Sequence, residues 1–169
     1  MAVGSNVAVN LIRSGIDELI IVDFDKIEKS NLNRQFYFYD QIGVIKVDAL
    51  EENLKRINPK IKIKKHNIKL NENNIKDILG EADIIVEGFD VAEYKKMIIE
   101  TFASTGKLMV SASGIAGYDT DKINIRKIGN CYIVGDFTSD FHEHKLFAHK
   151  VQVVASIMSG ILLEKGNLL

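Results

Sequence analysis

The chain has 169 residues, 46% apolar and 27% charged, a balance that suits one globular domain over residues 1–169 and is tight for two. A formal net charge of -1 argues against nucleic acid or an acidic membrane as partner, and no apolar run approaches the ~20 residues that cross a bilayer. Cys131 is the only cysteine, so an internal disulfide and a thiolate cluster for zinc are both excluded, and the cytoplasm is the expected compartment.

Helical periodicity comes first, over residues 5–14, with Val7, Ala8, Leu11 and Ile12 on one face and Gly15 placed to end it. Residues 19–22 are continuously apolar and end in Asp23, the pattern of a strand buried on both faces. A helix is expected over 46–57, stopped by Asn58-Pro59, and then an edge strand over 60–65, where lysines alternate with Ile61 and Ile63. A helix over 71–79, a strand over 83–87, a helix over 91–104 and a strand over 108–112 follow. Short strands at 121–127 and 131–134 flank the Gly129-Asn130 turn, and a last helix covers 146–164. Alternating helices and buried strands predict an α/β, Rossmann-like, three-layer fold with a mainly parallel sheet and short antiparallel strands near its C-terminal end.

Several residues stand where chemistry is usual. Gly4 has the position of the last glycine in a phosphate-binding turn, and Asp23 follows it by 19 residues, the usual place for an acid that bonds ribose hydroxyls. Beyond Asp23 come Asp25 and the run S-N-L-N-R-Q, which contributes Asn31, Arg34 and Gln35. Lys46 opens a helix eleven residues past Gln35, and Asp90 stands just past a strand end, where it is also placed to cap the following helix.

This order (D-x-D, S-N-L-x-R-Q, a helix-start lysine followed by N-P, and a strand-end aspartate) resembles the ThiF/MoeB-type, ubiquitin-activating-enzyme-like adenylyltransferases, in their shorter, zinc-free ThiF branch. The resemblance covers essentially the whole chain. It implies an enzyme that uses ATP and Mg²⁺ to adenylate the C-terminal carboxylate of a ubiquitin-like sulfur carrier with a Gly-Gly tail, as in thiamin biosynthesis, working as a homodimer. On this resemblance Asp23 holds the ribose, Asn31 and Arg34 bind the triphosphate, Lys46 contacts the α-phosphate and Asp90 binds Mg²⁺, with Arg34, Lys46 and Asp90 as the catalytic set. Gly4, Asp25 and Gln35 complete the nucleotide-binding candidates. A non-catalytic, carrier-docking partner of the same fold is the alternative, and a nicotinamide oxidoreductase is a third reading.

Two further expectations follow. Cys131 falls in an apolar strand and reads as structural, and the segment 135–149 has no cysteine to accept an acyl group. His142, His144 and His149 read as part of a polar loop, with a metal site as the other reading. The expected fold also lacks its first strand, because Met1-Ala2-Val3-Gly4 leads directly into a helix. A gap is therefore expected between residues 19–23 and 83–87, to be filled or closed through dimer contacts, and ATP binding by the chain as written is expected to be weak or absent.

Overall fold

The computed structural model describes residues 3–89 and 92–168. Among them five α-helices alternate with strands as far as β4, and two more strands precede the last helix: α1 (Gly4–Arg13), β1 (Glu18–Val22), α2 (Lys46–Ile57), β2 (Lys62–His66), α3 (Ile75–Leu79), β3 (Ile84–Val86), α4 (Ala92–Phe102), β4 (Leu108–Ala112), β5 (Asn124–Ile128), β6 (Cys131–Gly135) and α5 (Ala148–Lys165). The expected order holds throughout, and the differences lie at element ends. The helix expected from residue 71 starts at Ile75, because asparagine side chains compete for the backbone. Asn74 Oδ1 accepts the Asn71 N–H and Asn71 Oδ1 accepts the Asn73 N–H, both at 2.9 Å, which fixes a turn instead. β2 starts at Lys62 rather than 60 for the same reason: Asn58 Oδ1 accepts the Lys60 N–H at 3.0 Å and holds the Pro59 turn.

The expected single sheet is two. β1 pairs in parallel with β2, from Glu18 opposite Lys62 to Val22 opposite His66. The second sheet has the order β3-β4-β6-β5, parallel except for the antiparallel pair β5–β6. β1 and β3 are edge strands, and the expected gap lies between them as an open cleft of about 850 Å³. This also corrects the reading of β1 as buried on both faces: only Ile21 is fully buried, because the cleft exposes its neighbours.

Side-chain alternation sends neighbouring residues into opposite layers. Val110 and Ala112 of β4 and Val134 of β6 pack under α1 and α5, with Val154, Met158 and Leu162. Met109, next to Val110, and Cys131, three residues before Val134, pack with Ile75, Ile98 and Phe102 of α3 and α4. A further cluster joins α1 to α2 and β1 through Ala8, Ile12, Ile21, Leu50 and Leu54. α1 is thus buried on two sides, with Val7 and Leu11 in one cluster and Ala8 and Ile12 in another, and it spans the two sheets.

Candidate functional site

β1 delivers Asp23 to its carboxyl end, nearly buried at 9% exposure. Asp23 Oδ1 accepts the Asp25 N–H at 2.9 Å, an Asx turn that swings the chain off the strand. Asp25 then anchors α2 twice: its carbonyl accepts the Lys46 N–H at 2.9 Å and its Oδ2 pairs with Lys46 Nζ at 2.8 Å. Lys46 is 4% exposed, so its ammonium is held by Asp25 rather than presented to solvent. The Tyr37 phenol lies beside this group, pushed far above its ordinary range by burial and then by the Asp23 and Asp25 carboxylates.

The S-N-L-N-R-Q segment is a shaped loop. Lys29–Asn31 forms a 3₁₀ turn in which Asn31 Oδ1 accepts the Glu28 N–H at 3.0 Å, so the buried Asn31 side chain closes the loop itself. Arg34 Nη1 donates to Ser30 O at 2.7 Å and to Asn33 Oδ1 at 2.8 Å, which sets the guanidinium on the outer side of that turn. The loop is docked on α1, where Asn6 Nδ2 donates to Arg34 O at 2.7 Å and Ser5 Oγ accepts the Phe36 N–H at 3.1 Å. Behind it the buried amides of Gln41 and Asn53 bond each other in both directions, and Asn53 also donates to Phe36 O. Gln35 is buried, and its Oε1 has no hydrogen-bond partner among the described residues. Gly4 opens α1 without a side-chain cap and abuts Gly88, where an added Cβ would stand 3.4 Å from Gly4 N. Asp90 lies outside the described residues.

The structure thus joins Asp23, Asp25 and Lys46 directly and hangs Asn31, Arg34 and Gln35 on one loop beside α1. It also assembles two charged clusters that the sequence reading missed. Glu87, 2% exposed, accepts from the Phe89 N–H, Ser111 Oγ and Lys95 Nζ, and Lys95 donates to Ala112 O at 2.7 Å. Lys150, 1% exposed, pairs with Asp136 Oδ2 at 2.6 Å and donates to Ala116 O. Burial raises the Asp136 carboxyl, but hydrogen bonds from Lys150 and from the Ser139 and Thr138 amides outweigh that and hold it well below the usual carboxylate range. The signal for both was a lysine on an apolar helix stripe: Lys95 precedes Ile98 and Phe102, and Lys150 precedes Val154 and Met158.

Lys95 also reaches a second pocket of about 320 Å³ at the ends of β3 and β4, lined besides by Phe89, Ser113 and Phe137 among others. Gly114 permits its shape, with φ of +73° and Asp136 Oδ1 2.1 Å from where a Cβ would sit. Cys131 is buried in β6, its thiol pushed up by burial and then by Glu87. The three histidines do not converge: His142 stacks on Phe141, while His149 belongs to α5 and its Nε2 bonds Tyr118 O at 2.8 Å. Among the described residues no group of three His, Cys, Asp or Glu side chains stands ready for a metal ion, and no helix is long and apolar enough to cross a membrane.

The model of the ThiF family matches residues 2–162. The chain belongs to the ThiF family. It is 34% identical over 121 residues to Adenylyltransferase and sulfurtransferase UBA4 of Eremothecium gossypii, a match covering 70% of this chain and 27% of that protein. It is 38% identical over 94 residues to Ubiquitin-like modifier-activating enzyme 5 of Drosophila persimilis, covering 53% of this chain and 24% of that protein. The chain thus spans about a quarter of the length of these curated relatives. Its fold matches the crystal structure of E. coli tRNA N6-threonylcarbamoyladenosine dehydratase, TcdA, with a TM-score of 0.84 at 17% identity, over 99% of this chain and 84% of that one. A crystal structure of the same enzyme in complex with ATP matches equally, with a TM-score of 0.84 at 18% identity, over 98% of this chain and 84% of that one. These likenesses fix the ThiF domain as Rossmann-like.

Proposed function

We propose that this ThiF domain is the nucleotide-handling part of an adenylyltransferase that activates the C-terminal carboxylate of a ubiquitin-like sulfur carrier, of the thiamin-biosynthesis type, with a Gly-Gly tail. The observation that carries the reading is the Asp23–Asp25–Lys46 group at the end of β1, flanked by the Arg34 loop and the uncapped start of α1. A carboxylate beside a ribose, a guanidinium and a lysine beside phosphates, and open backbone N–H groups at a helix start are the elements an ATP site needs. In the reaction a carrier carboxylate oxygen attacks the α-phosphorus of ATP, the bond to the β-phosphate breaks, and pyrophosphate leaves with the electron pair. Asp23 binds the ribose. Gly4, Asn31, Gln35 and Arg34 shape and hold the triphosphate site, and Lys46 reaches the α-phosphate after exchanging Asp25 for it.

Mg²⁺ belongs to this reading through Asp90. A phosphate-bound Mg²⁺ takes one or two carboxylates and keeps several waters. When bound, the ion offsets charge on the phosphate oxygens. A homodimer in the cytoplasm completes the proposal.

ATP–pyrophosphate exchange with Mg²⁺ and a Gly-Gly-tailed carrier tests it. The expected result is exchange that is weak or absent in this chain, present in a version extended by a strand and glycine turn ahead of Gly4, and lowered there at least 100-fold by Arg34→Ala and by Asp90→Ala. Carrier binding with no exchange under any condition would leave the non-catalytic docking reading instead, which the burial of Lys46 against Asp25 favours.

A further inference from the structure

One buried hydroxyl beside the candidate site has nothing to bond to. Tyr37 is 5% exposed and packs in the cluster of Ile27, Val47 and Leu50, yet its phenol oxygen has no hydrogen-bond partner among the described residues. A buried hydroxyl left in that condition destabilises a fold, and phenylalanine would fill the same space without it. Packing therefore accounts for the ring and leaves the hydroxyl unexplained.

The groups that stand beside it are carboxylates. Burial, then Asp23 and Asp25, keep the phenol protonated, so Tyr37 is available as a donor and not as a base. Asp23 offers no reason for a change of partner, because its Oδ1 is taken by the Asp25 N–H and its place at the end of β1 does not depend on Lys46. Asp25 is different. Among the described residues its carboxylate has a single donor, Lys46 Nζ at 2.8 Å, and its side chain is 46% exposed, which leaves it room to turn. Lys46 is 4% exposed and reaches a phosphate only by giving up this bond. The Asp25 carboxylate then stands at the edge of an apolar cluster without its cation. The Tyr37 hydroxyl is the neighbouring donor with no other bond to surrender, and since its ring is fixed by packing, the carboxylate makes the move.

We propose that Tyr37 is a positioning residue for Lys46, whose hydroxyl takes the Asp25 carboxylate when Lys46 leaves and returns it when Lys46 comes back. The exchange breaks no covalent bond and transfers no proton. One charge-assisted hydrogen bond replaces another, so Lys46 is released without stranding its partner. The occasion for Lys46 to leave rests on the adenylation reading; the hand-over itself does not.

Lys46→Met removes the cation with no nucleotide present and so separates the two ideas. In the parent chain Tyr37→Phe should leave the urea-unfolding constant unchanged or lower it, because it deletes only an unpartnered hydroxyl. In Lys46→Met the same substitution should raise that constant by about tenfold or more, as expected for loss of a hydrogen bond to a charged acceptor. Adding Asp25→Ala should cancel the increase. The ¹³Cζ resonance of Tyr37 should move on Lys46→Met and return when Asp25→Ala is added, a response that a hydroxyl of purely structural role does not give. Should Lys46→Met fail to fold, Lys46→Leu supplies the same background. An equal effect of Tyr37→Phe in both backgrounds, as for a hydroxyl held throughout by a buried water, would overturn the proposal. So would a Tyr37 resonance that ignores Lys46→Met. Reversal of the Tyr37→Phe effect in a protein that shows no ATP–pyrophosphate exchange even when extended would uphold the hand-over and remove the adenylation reading instead.

Discussion

The two sheets carry their buried polar groups in different ways. Around β1 and β2 the long irregular segment between β1 and α2 is held along its length by neutral amides and hydroxyls (Gln41 with Asn53, Asn53 with Phe36 O, Asn6 with Arg34 O, and Ser5 with the Phe36 N–H), and its buried charged pair, Lys46 with Asp25, keeps its carboxylate half exposed. Around β3, β4 and β6 the work falls to charge, with Lys95 on Glu87 and Lys150 on Asp136, each lysine also donating to a strand-end or loop carbonyl. The difference follows from what each half must hold. A buried loop backbone offers scattered single donors and acceptors, which amides match one by one. A strand end carrying a buried carboxylate needs a full counter-charge, and removing one partner of such a pair is strongly destabilising.

That comparison breaks first at Lys150. Lys150→Ala leaves the Asp136 carboxylate buried without its counter-charge, and such losses cost ~3–5 kcal/mol. Urea unfolding of the variant should show that deficit, while Asp136→Leu combined with Lys150→Met should recover much of it by removing both charges. The pH response sharpens the point. Asp136 has a folded-state pKa below its unfolded value, so its stabilisation is complete above the ordinary carboxylate range and is lost as pH falls below it. The stability gap between the parent chain and Asp136→Asn should therefore be widest near pH 7 and shrink below about pH 4, near the ordinary Asp value.

In the other half the expected loss is smaller. Asn53→Ala strands the Gln41 amide and the Phe36 carbonyl, at ~1–3 kcal/mol per unsatisfied group. The change should be insensitive to pH between 4 and 9, which separates it from the charged half. Thermal unfolding at several pH values measures both in one series.

How far the sequence disclosed this molecule follows the same division. Periodicity located all eleven elements, and α2 and β4 to the residue, because apolar stripes and Pro59 leave local marks. Asp23, Asp25 and Lys46 were legible since they sit at element ends in a recognisable order. Glu87–Lys95 and Lys150–Asp136 were not, because their partners lie 8 and 14 residues apart and meet only once helix and sheet have packed. That Asn31 Oδ1 closes its own loop is a bond the motif alone does not reveal. The split of the sheet was foreseen as a gap.

The smallest effect lies where the two halves touch. Lys64 of β2 pairs with Glu81 ahead of β3 and so ties one sheet to the other across the rim of the cleft, with both side chains 54% exposed. Exposed pairs contribute ~0–1 kcal/mol and are screened by salt. Lys64→Ala should therefore leave global unfolding within about 0.5 kcal/mol of the parent chain. Its effect should be local instead: hydrogen exchange at the cleft-facing amides of β1 and β3 should quicken by a few-fold, and raising ionic strength should reproduce that in the parent chain. A global loss of several kcal/mol would mean that the two sheets stand or fall on this one pair, which α1 packed into both of their cores argues against.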